Sequence, residues 1–187
     1  DGLRLPLRET LYVTISEDPL DPLPVLPPRP APWREELAGR VVLDLYSHLP
    51  YTEDRRLLET LPFYGLRHVA LIYRNWQYYG YGRRAPLHYP ANPERGTNQQ
   101  FREMVQAALD AGWLVALREE YACVAEDSPL RDEKTLATWA DGQPRPCRRS
   151  GHFGLASTAM LDYARLQSTH IQRNYQTNAV FVEGHTA

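Results

Sequence analysis

The densest cluster of side chains suited to chemistry is the segment Arg74-Asn-Trp-Gln-Tyr-Tyr-Gly-Tyr-Gly82, which comes directly after a short apolar run. The segment contains one Trp, three Tyr, one Gln and one Asn. Aromatic faces can stack on the apolar C–H face of a sugar ring, and amide and phenol groups can bond to its hydroxyls. This composition indicates a carbohydrate site. The alternative is that Trp76 and Tyr79 only pack the loop, because aromatic side chains bury a large area wherever they fall.

The segment Leu117-Arg-Glu-Glu-Tyr121 places two adjacent carboxylates at the end of another apolar run. One of Glu119 and Glu120 could point into a site at the end of that strand. The alternative is a charged rim in which Arg118 pairs with one of these carboxylates in solvent. The charge pattern alone favours the rim, since exposed ion pairs of this kind are common on protein surfaces.

Two more carboxylates stand at the ends of apolar runs. Glu183 lies in Phe181-Val-Glu-Gly-His-Thr186, where the last run ends. A carboxylate at the C-terminal end of a barrel strand is correctly placed for a catalytic group, and His185 beside it could be its hydrogen-bond partner. Asp44 ends the first run and is either an acid of the site or a structural carboxylate satisfied by a partner. The second interpretation of Asp44 is favoured.

Four apolar runs and three amphipathic segments alternate along the chain after residue 40. Buried parallel strands appear as short continuous apolar runs, whereas helices show apolar residues three and four positions apart. Their strict alternation predicts a parallel sheet with right-handed crossovers. The predicted strands are residues 41–45, 68–73, 113–117 and 179–182, and the predicted helices are residues 52–65, 97–112 and 155–171.

The lengths of the connections favour a barrel over an open doubly wound sheet. The loops after the second and third strands are long, whereas the connections from helices back to strands, at Gly65 and Gly112, are short. A (β/α) barrel builds its site in this way, at the C-terminal ends of its strands. No G-x-G-x-x-G follows the first strand, which counts against a dinucleotide fold. The sequence therefore predicts an α/β fold, a parallel (β/α) barrel with only its first four β/α units, half of a TIM-type barrel.

Residues 1–37 differ from the rest of the chain. They contain Leu11-Tyr-Val-Thr-Ile15, an alternating run typical of a strand, and then seven prolines between residues 19 and 32, which disfavour helix and central strand. We expect residues 1–37 to be an extended Pro-rich lead-in from a preceding β domain, and residues 38–187 to be the N-terminal half of a (β/α)8 catalytic barrel. Because the chain starts without Met and ends just after a strand, we expect both ends to be cuts.

The composition counts against several classes of protein. The chain carries 21 Lys+Arg against 23 Asp+Glu, a net charge of -2, which gives no basic surface for nucleic acid or for a membrane. No apolar run approaches the roughly 20 residues that span a bilayer. The two cysteines, Cys123 and Cys147, have no metal-ligand spacing. We expect them to be free or partly buried thiols, with a bridge as the alternative in an oxidising compartment.

A resemblance to a known family rests on five segments: Asn75–Tyr81, Pro86, Tyr89–Asn92, Leu117–Tyr121 and Phe181–Ala187. Together they resemble the catalytic barrel of glycosidases related to glycoside hydrolase family 101, the endo-α-N-acetylgalactosaminidase-like enzymes. The Trp-Gln-x-Tyr-Gly-Tyr motif is the most specific segment, and the others follow in the same order and spacing. In this resemblance the proline-rich connector corresponds to the lead-in from an N-terminal β-sandwich.

The resemblance implies a glycoside hydrolase that acts on an α-linked glycan by a retaining mechanism with two carboxylates. The nucleophile position falls on Glu183, and the acid/base position falls beyond Ala187. In such a double displacement the two carboxyl groups stand about 5–5.5 Å apart. The chemistry needs no metal or organic cofactor. The residues expected to contact the sugar are Asp44, Asn75, Trp76, Gln77, Tyr79, Tyr81, Glu119, Glu120, Tyr121 and His185.

The resemblance also implies the partners and the location of the protein. The expected partners are a carbohydrate substrate and the remaining half of the barrel in the full-length chain. We expect neither nucleic acid nor a membrane as a partner. Relatives of this kind imply an extracellular or cell-surface location.

The sequence departs from the family pattern at three places. Gly82 stands where relatives tend to have an acid, Arg118-Glu119-Glu120 stands where they tend to have His-Glu-Asn or His-Asp-Asn, and Glu183 replaces the nucleophilic Asp. A Glu is one methylene longer, and a shift of about 1 Å can cost on the order of a hundredfold in rate. Two alternatives therefore stay open. One is a catalytically impaired carbohydrate-binding or scaffold domain of the same fold, and the other is an unrelated α/β enzyme with an open sheet.

Overall fold

Four α-helices and six strands form the part of the chain that the computed structural model describes, residues 13, 15–17 and 31–184. The helices are α1 (Arg34–Leu37), α2 (Tyr51–Thr60), α3 (Asn98–Asp110) and α4 (Ser157–Tyr175). The strands are β1 (Val41–Tyr46), β2 (Val69–Arg74), β3 (Leu114–Glu120), β4 (Cys123–Ala125), β5 (His152–Gly154) and β6 (Ala179–Glu183). Among these described helices, none is long and apolar enough to cross a membrane.

Four of the strands form one parallel sheet in the order β1-β2-β3-β6. Leu71 of β2 lies opposite Leu43 of β1 and Val115 of β3, and Glu120 of β3 lies opposite Glu183 of β6. The helices α2, α3 and α4 each connect one strand of this sheet to the next. This arrangement confirms the predicted α/β fold, with four consecutive strands of a parallel (β/α) barrel.

The core lies between the sheet and the three crossover helices. Successive side chains of a strand point to opposite faces, so each strand gives alternate residues to this core. Helix α3 contributes its apolar face and is capped by Thr97, whose Oγ1 accepts the N–H of Gln100 while Gln100 Oε1 accepts the N–H of Thr97. The buried members of the core include Leu58, Leu71, Tyr73, Trp76, Phe101, Met104, Trp113, Val115, Leu117, Ile171 and Tyr175.

The loop between β3 and α4 contains a small sheet, and its apolar side chains pack against Ala159, Met160 and Tyr163 of α4. Its strands β4 and β5 pair antiparallel, with Val124 opposite Phe153, and Val124 packs with Leu136. A disulfide bond joins Cys123 to Cys147. The expectation of free thiols is therefore wrong. The fold of the loop brings the two Cα atoms to 6.4 Å, a separation that a bridge spans.

The chain divides into two units, residues 1–36 and residues 37–187, and the parallel sheet belongs to the second. The predicted strand over residues 11–15 and most of the proline-rich stretch lie outside the described residues. The assignment of residues 1–37 to a lead-in and of residues 38–187 to a catalytic half barrel stays a prediction.

A buried ion pair holds α2 to the end of the loop that follows β2. Asp54 of α2 accepts hydrogen bonds from Ser47 Oγ at 2.8 Å, from Arg95 Nη2 at 2.5 Å and from the hydroxyl of Tyr73. The side chains of Asp54 and Arg95 are 0% and 5% exposed, and the Arg95 guanidinium lies over the ring of Tyr51 at 4.7 Å. Burial raises the pKa of the Tyr73 phenol, so this hydroxyl remains a donor at neutral pH. All the partners that Asp54 needs are therefore supplied inside the protein.

We expect Asp54→Ala to lower the free energy of unfolding of the full-length protein by about 3–5 kcal/mol, because it leaves the buried Arg95 without its carboxylate. Urea denaturation followed by tryptophan fluorescence measures this change. Glu59→Ala is the control, since Glu59 pairs with Arg55 on the surface and its loss should cost under about 1 kcal/mol. Equal losses in the two variants would contradict the assignment.

Candidate active site

The C-terminal edge of the parallel sheet carries charged side chains on the face turned away from the helices. Leu45, Tyr73 and Leu117 belong to the core side of their strands. Their neighbours in the chain therefore point to the opposite, inner face, because side chains alternate along a strand. The charged residues on this inner face are Asp44, Arg74, Arg118, Glu120 and Glu183.

These five charges form a continuous chain of ion pairs across the four strands. Arg74 binds Asp44 with two hydrogen bonds, of 2.6 and 2.8 Å, and its Nη1 lies 3.2 Å from Glu183 Oε1. Arg118 Nε donates to Glu183 Oε2 at 2.6 Å, and Arg118 Nη2 donates to Glu120. The favoured interpretation of a solvent rim around Arg118 is wrong. The side chain of Arg118 is only 1% exposed, because it lies on the inner face beneath its partners.

Tyr81 connects the loop after β2 to this chain of charges. Its hydroxyl donates to Glu183 Oε2 at 3.0 Å, and the guanidinium of Arg118 lies over its ring at 4.4 Å. Asn75 fixes the loop in this position. The backbone of Asn75 has a φ of 57°, its Oδ1 accepts the N–H of Tyr81 at 2.8 Å, and its Nδ2 donates to the carbonyl of Ser47 at 2.8 Å. Asn75 is itself buried, so its role here is to position Tyr81.

The surroundings of Glu183 favour its ionised form. Partial burial raises the pKa of this carboxyl, but the hydrogen bond and charge of Arg118, together with Tyr81 and Arg74, outweigh the burial and hold the pKa below its ordinary value of 4.5. The side chain of Glu183 keeps 34% of its surface exposed. Glu183 is therefore an accessible carboxylate that carries its charge at neutral pH.

Trp76 and Gln77 lie behind the site. Trp76 is fully buried and stacks on Phe101, with the ring centroids 5.7 Å apart and the planes 8° apart. Trp76 Nε1 and Gln77 Nε2 both donate to the carbonyl of Arg118, each at 2.9 Å. These two side chains therefore hold Arg118 in place, and in this arrangement neither presents a face to a sugar.

Glu119 and Tyr121 lie on the opposite side of the sheet from Glu183. Glu119 Oε2 accepts hydrogen bonds from the hydroxyls of Tyr121 and of Ser168 in α4. Burial raises the pKa of the Glu119 carboxyl, although both hydroxyls oppose the rise. These contacts join β3 to α4, and they do not bring Glu119 to the inner face.

His88 supports the peptide that carries Glu120. Its ring is buried between Trp76 and Tyr121, and its Nε2 lies 2.9 Å from both the N–H and the carbonyl of Glu120. Burial, aided by the charge of Arg118, lowers the pKa of His88 to about 3. The imidazole is therefore neutral at physiological pH and can accept the N–H of Glu120.

Of the sequence-predicted site residues, the structure brings four to the inner edge and one to its margin. Asp44, Glu120, Glu183 and Tyr81 share the chain of ion pairs, and Tyr79 lines a cavity of about 650 Å³ beside it. The remaining predicted contacts, Asn75, Trp76, Gln77, Glu119 and Tyr121, are buried supports, and His185 lies outside the described residues.

Sequence reasoning missed the two arginines that organise the site. Arg74 and Arg118 stand at inner-face positions, one residue after Tyr73 and Leu117 of the core. The alternation of faces along each strand could have found them. Arg149 was missed for a different reason, because it reaches the ring of Tyr81, at 5.2 Å, from a loop with no repeating pattern.

Comparison with solved structures places this fold among glycosidases. An α-N-acetylgalactosaminidase from Bifidobacterium bifidum, in complex with Gal-NHAc-DNJ, superposes with a TM-score of 0.73 and 19% identity over 81% of this chain and 28% of that chain. A maltogenic α-amylase from Thermotoga neapolitana superposes with a TM-score of 0.61 and 13% identity, over 81% of this chain and 41% of that chain. An α-galactosidase from Lactobacillus brevis superposes with a TM-score of 0.58 and 15% identity, over 75% of this chain and 20% of that chain.

The chain therefore has the fold of the glycosidase (β/α) barrels. It spans less than half the length of each of the three chains compared. At these identities the likeness concerns the fold alone. No protein-family model matches the sequence. No curated protein matches it either.

We expect Arg118→Met to raise the pKa of Glu183, because this change removes the strongest of the interactions that favour its charged form. A pH titration of the Glu183 side-chain carboxyl by NMR measures the pKa. Arg74→Met should raise it by less, since Arg74 lies farther from the carboxylate, at 3.2 Å against 2.6 Å. An unchanged pKa in Arg118→Met would overturn this account of the site.

The lowered pKa of Glu183 also has a consequence for stability. A carboxyl whose pKa is depressed by folding stabilises the protein above its unfolded pKa, near 4.5, and loses that contribution as the pH falls through the folded value. We therefore expect Glu183→Gln to be less stable than the parent at pH 7, with the difference shrinking below about pH 4.5. Denaturation across this pH range tests it, with Glu126→Gln, the loss of an exposed carboxylate elsewhere, as the matched control.

Proposed function

We propose that these residues form part of a retaining glycosidase that acts on an α-linked glycan, with Glu183 as the nucleophile. One observation carries the proposal. Glu183 is an accessible, ionised carboxylate at the C-terminal end of a barrel strand, where enzymes of this fold hold their catalytic groups. The likeness in fold to an α-N-acetylgalactosaminidase supports the choice of reaction.

In the proposed reaction, Glu183 attacks the anomeric carbon and forms a covalent glycosyl–enzyme intermediate. A second carboxyl group, which the family resemblance puts beyond Ala187, donates its proton to the leaving oxygen and then takes a proton from water as that water releases the sugar. Arg118 and Tyr81 fix the attacking carboxylate through Oε2. Oε1 has only longer contacts, to Arg74 Nη1 at 3.2 Å and to the Tyr81 hydroxyl at 3.4 Å, and is the oxygen better placed to attack.

The side chains proposed to contact the sugar are those with exposed polar or aromatic groups at this edge. Asp44 and Glu120 can accept hydrogen bonds from sugar hydroxyls, and Tyr79 and Tyr81 offer phenol groups to them. The Bifidobacterium bifidum enzyme has been solved in complex with GalNAc, with a TM-score of 0.70 and 19% identity over 77% of this chain and 27% of that chain. We extend carbohydrate binding, but not the identity of the sugar, to this chain.

The relation to glycoside hydrolase family 101 and an extracellular or cell-surface location belong to the same proposal. The disulfide between Cys123 and Cys147 supports the location, because such bonds persist mainly in oxidising compartments. The remaining half of the barrel, which the proposal requires for the acid/base carboxyl, would pack beside β1 and β6, the outer strands of the sheet among the described residues.

A catalytically impaired carbohydrate-binding domain is the second candidate. Both oxygens of Glu183 contact a guanidinium, Arg118 on one side and Arg74 on the other. Since a carboxylate held so firmly as an anion is a weaker nucleophile, these contacts favour binding without turnover. The same cleft would then hold a glycan and leave it intact.

Hydrolysis of a panel of aryl α- and β-glycosides by the full-length protein separates the two candidates. We expect an α-glycoside to be cleaved, and Glu183→Gln to lower kcat by roughly 10⁴-fold or more, as the loss of a nucleophile does. Glu126→Gln, an exposed change in the loop after β3, should keep the parental rate. Cleavage that survives in Glu183→Gln would remove Glu183 from the mechanism. Glycan binding by the parent without any cleavage would establish the second candidate.

A further inference from the structure

A cavity of about 650 Å³ lies beside the chain of ion pairs, between the loops that follow β2 and β3. It is separate from the inner face but shares Tyr81 with it, because the Tyr81 hydroxyl reaches Glu183 while its ring lines the cavity. The walls combine aromatic rings with basic side chains: Tyr79, Tyr81, Arg83, Arg84, Arg149 and His152.

Arg149 stands in the wall in a position that depends on Gly82. The carbon of its guanidinium lies 5.2 Å from the centre of the Tyr81 ring. A Cβ on Gly82 would lie 1.2 Å from Arg149 Nη1, so the guanidinium fills the space that any other residue at this position would take. Gly82 also has a φ of +67°, which disfavours a side chain independently.

The charge of Arg149 is incompletely satisfied. Its Nη1 is buried and has no hydrogen-bond partner within the described part of the chain. Guanidinium N–H groups are strong donors, and burial of such a donor without an acceptor is unfavourable. Nη1 has almost no accessible surface in this conformation, so a ligand oxygen in the cavity reaches it once the Arg149 side chain, which lines the cavity, rotates slightly.

The other charges of the cavity leave an excess of positive charge. Arg84 pairs with Asp127 at 3.2 Å, and Glu94 is the only other carboxylate among the lining residues described. Neither carboxylate pairs with Arg83 or Arg149 among the described ion pairs. Three guanidiniums against two carboxylates favour an anionic ligand.

We propose that this cavity is a subsite for the oxyanion of an acidic sugar, a carboxylate or sulfate carried by the glycan, with Arg149 as its principal donor. A guanidinium matches both groups through paired hydrogen bonds, and the neighbouring tyrosines offer phenol groups to the hydroxyls of the sugar. The substrate class in this assignment rests on the proposed function. Tyr81 would lie between an acidic sugar in the cavity and a neighbouring sugar unit of the same glycan bound at Glu183.

The segment that carries Arg149 is held firmly before any ligand binds. The disulfide ties Cys147, two residues earlier, to Cys123 at the start of β4. His152, three residues later, lies with its Nε2 3.0 Å from the carbonyl of Gly82. A site fixed in this way loses little entropy on binding.

Calorimetry with the full-length protein tests the proposal with two matched probes, methyl α-galacturonide and methyl α-galactoside, which differ in a carboxylate against a hydroxymethyl group. We expect the galacturonide to bind at least about tenfold more tightly, and its advantage to shrink as salt is added. The 6-sulfate of the galactoside serves as a third probe, and a preference for it over the neutral sugar would assign the oxyanion to sulfate.

Arg149→Gln should abolish the preference for the acidic probes, and Gly82→Ala should weaken it, because it displaces the Arg149 guanidinium. The matched control is Arg148→Gln, an exposed neighbour that should keep the parental preference. Equal affinity for acidic and neutral probes, or a preference that survives in Arg149→Gln, would overturn the subsite. These results are independent of turnover: a protein that prefers the acidic probes but cleaves no glycoside would contradict the proposed hydrolysis and leave the subsite standing.

Discussion

The site depends on one residue, Arg118, which is bonded through both its backbone and its side chain. Its carbonyl accepts the indole of Trp76 and the amide of Gln77, which fixes the loop after β2 to β3. Its guanidinium binds Glu183 and Glu120, which joins β6 to β3. A buried guanidinium needs every such partner, because an unpaired buried charge is strongly unfavourable. The aromatic cluster of the loop, the strand ends and the candidate nucleophile are therefore parts of one interdependent arrangement.

This arrangement sets a conflict between binding and reaction. The contacts that position the Glu183 carboxylate also stabilise its negative charge, and a nucleophile gives up that charge as it bonds to carbon. In the proposed reaction these contacts would improve the orientation of the carboxylate and lower its nucleophilicity. The contact of Oε2 with Arg118, at 2.6 Å, is shorter than the contact of Oε1 with Arg74, at 3.2 Å, so Oε1 is the less restrained oxygen. The balance between orientation and nucleophilicity therefore depends on this difference between the two oxygens.

Much of the fold was predictable because the buried strands are continuous apolar runs and the helices between them are amphipathic. The position of Glu183 at a strand end followed from the same pattern. The burial of Trp76 did not, since residue type does not reveal which face of a loop turns inward. The bridge between Cys123 and Cys147 depends on a hairpin whose strands, of three residues each, are too short to give a pattern. Arg118 was visible in the alternation of β3 but was assigned to solvent on the strength of its charged neighbours.

The loop between β3 and α4 has its own two-stranded sheet and its own covalent bond, and its apolar side chains pack against the first turns of α4. Because the bond and the short sheet join distant parts of the loop, mutations in its exposed outer turns need not disturb the strands of the barrel. Such a loop is a place where sequence drift is tolerated, while the residues around Arg118 are constrained by one another. The exposed turns of this loop can therefore change, and with them the molecules that the loop contacts, while the ion pairs around Arg118 stay as they are.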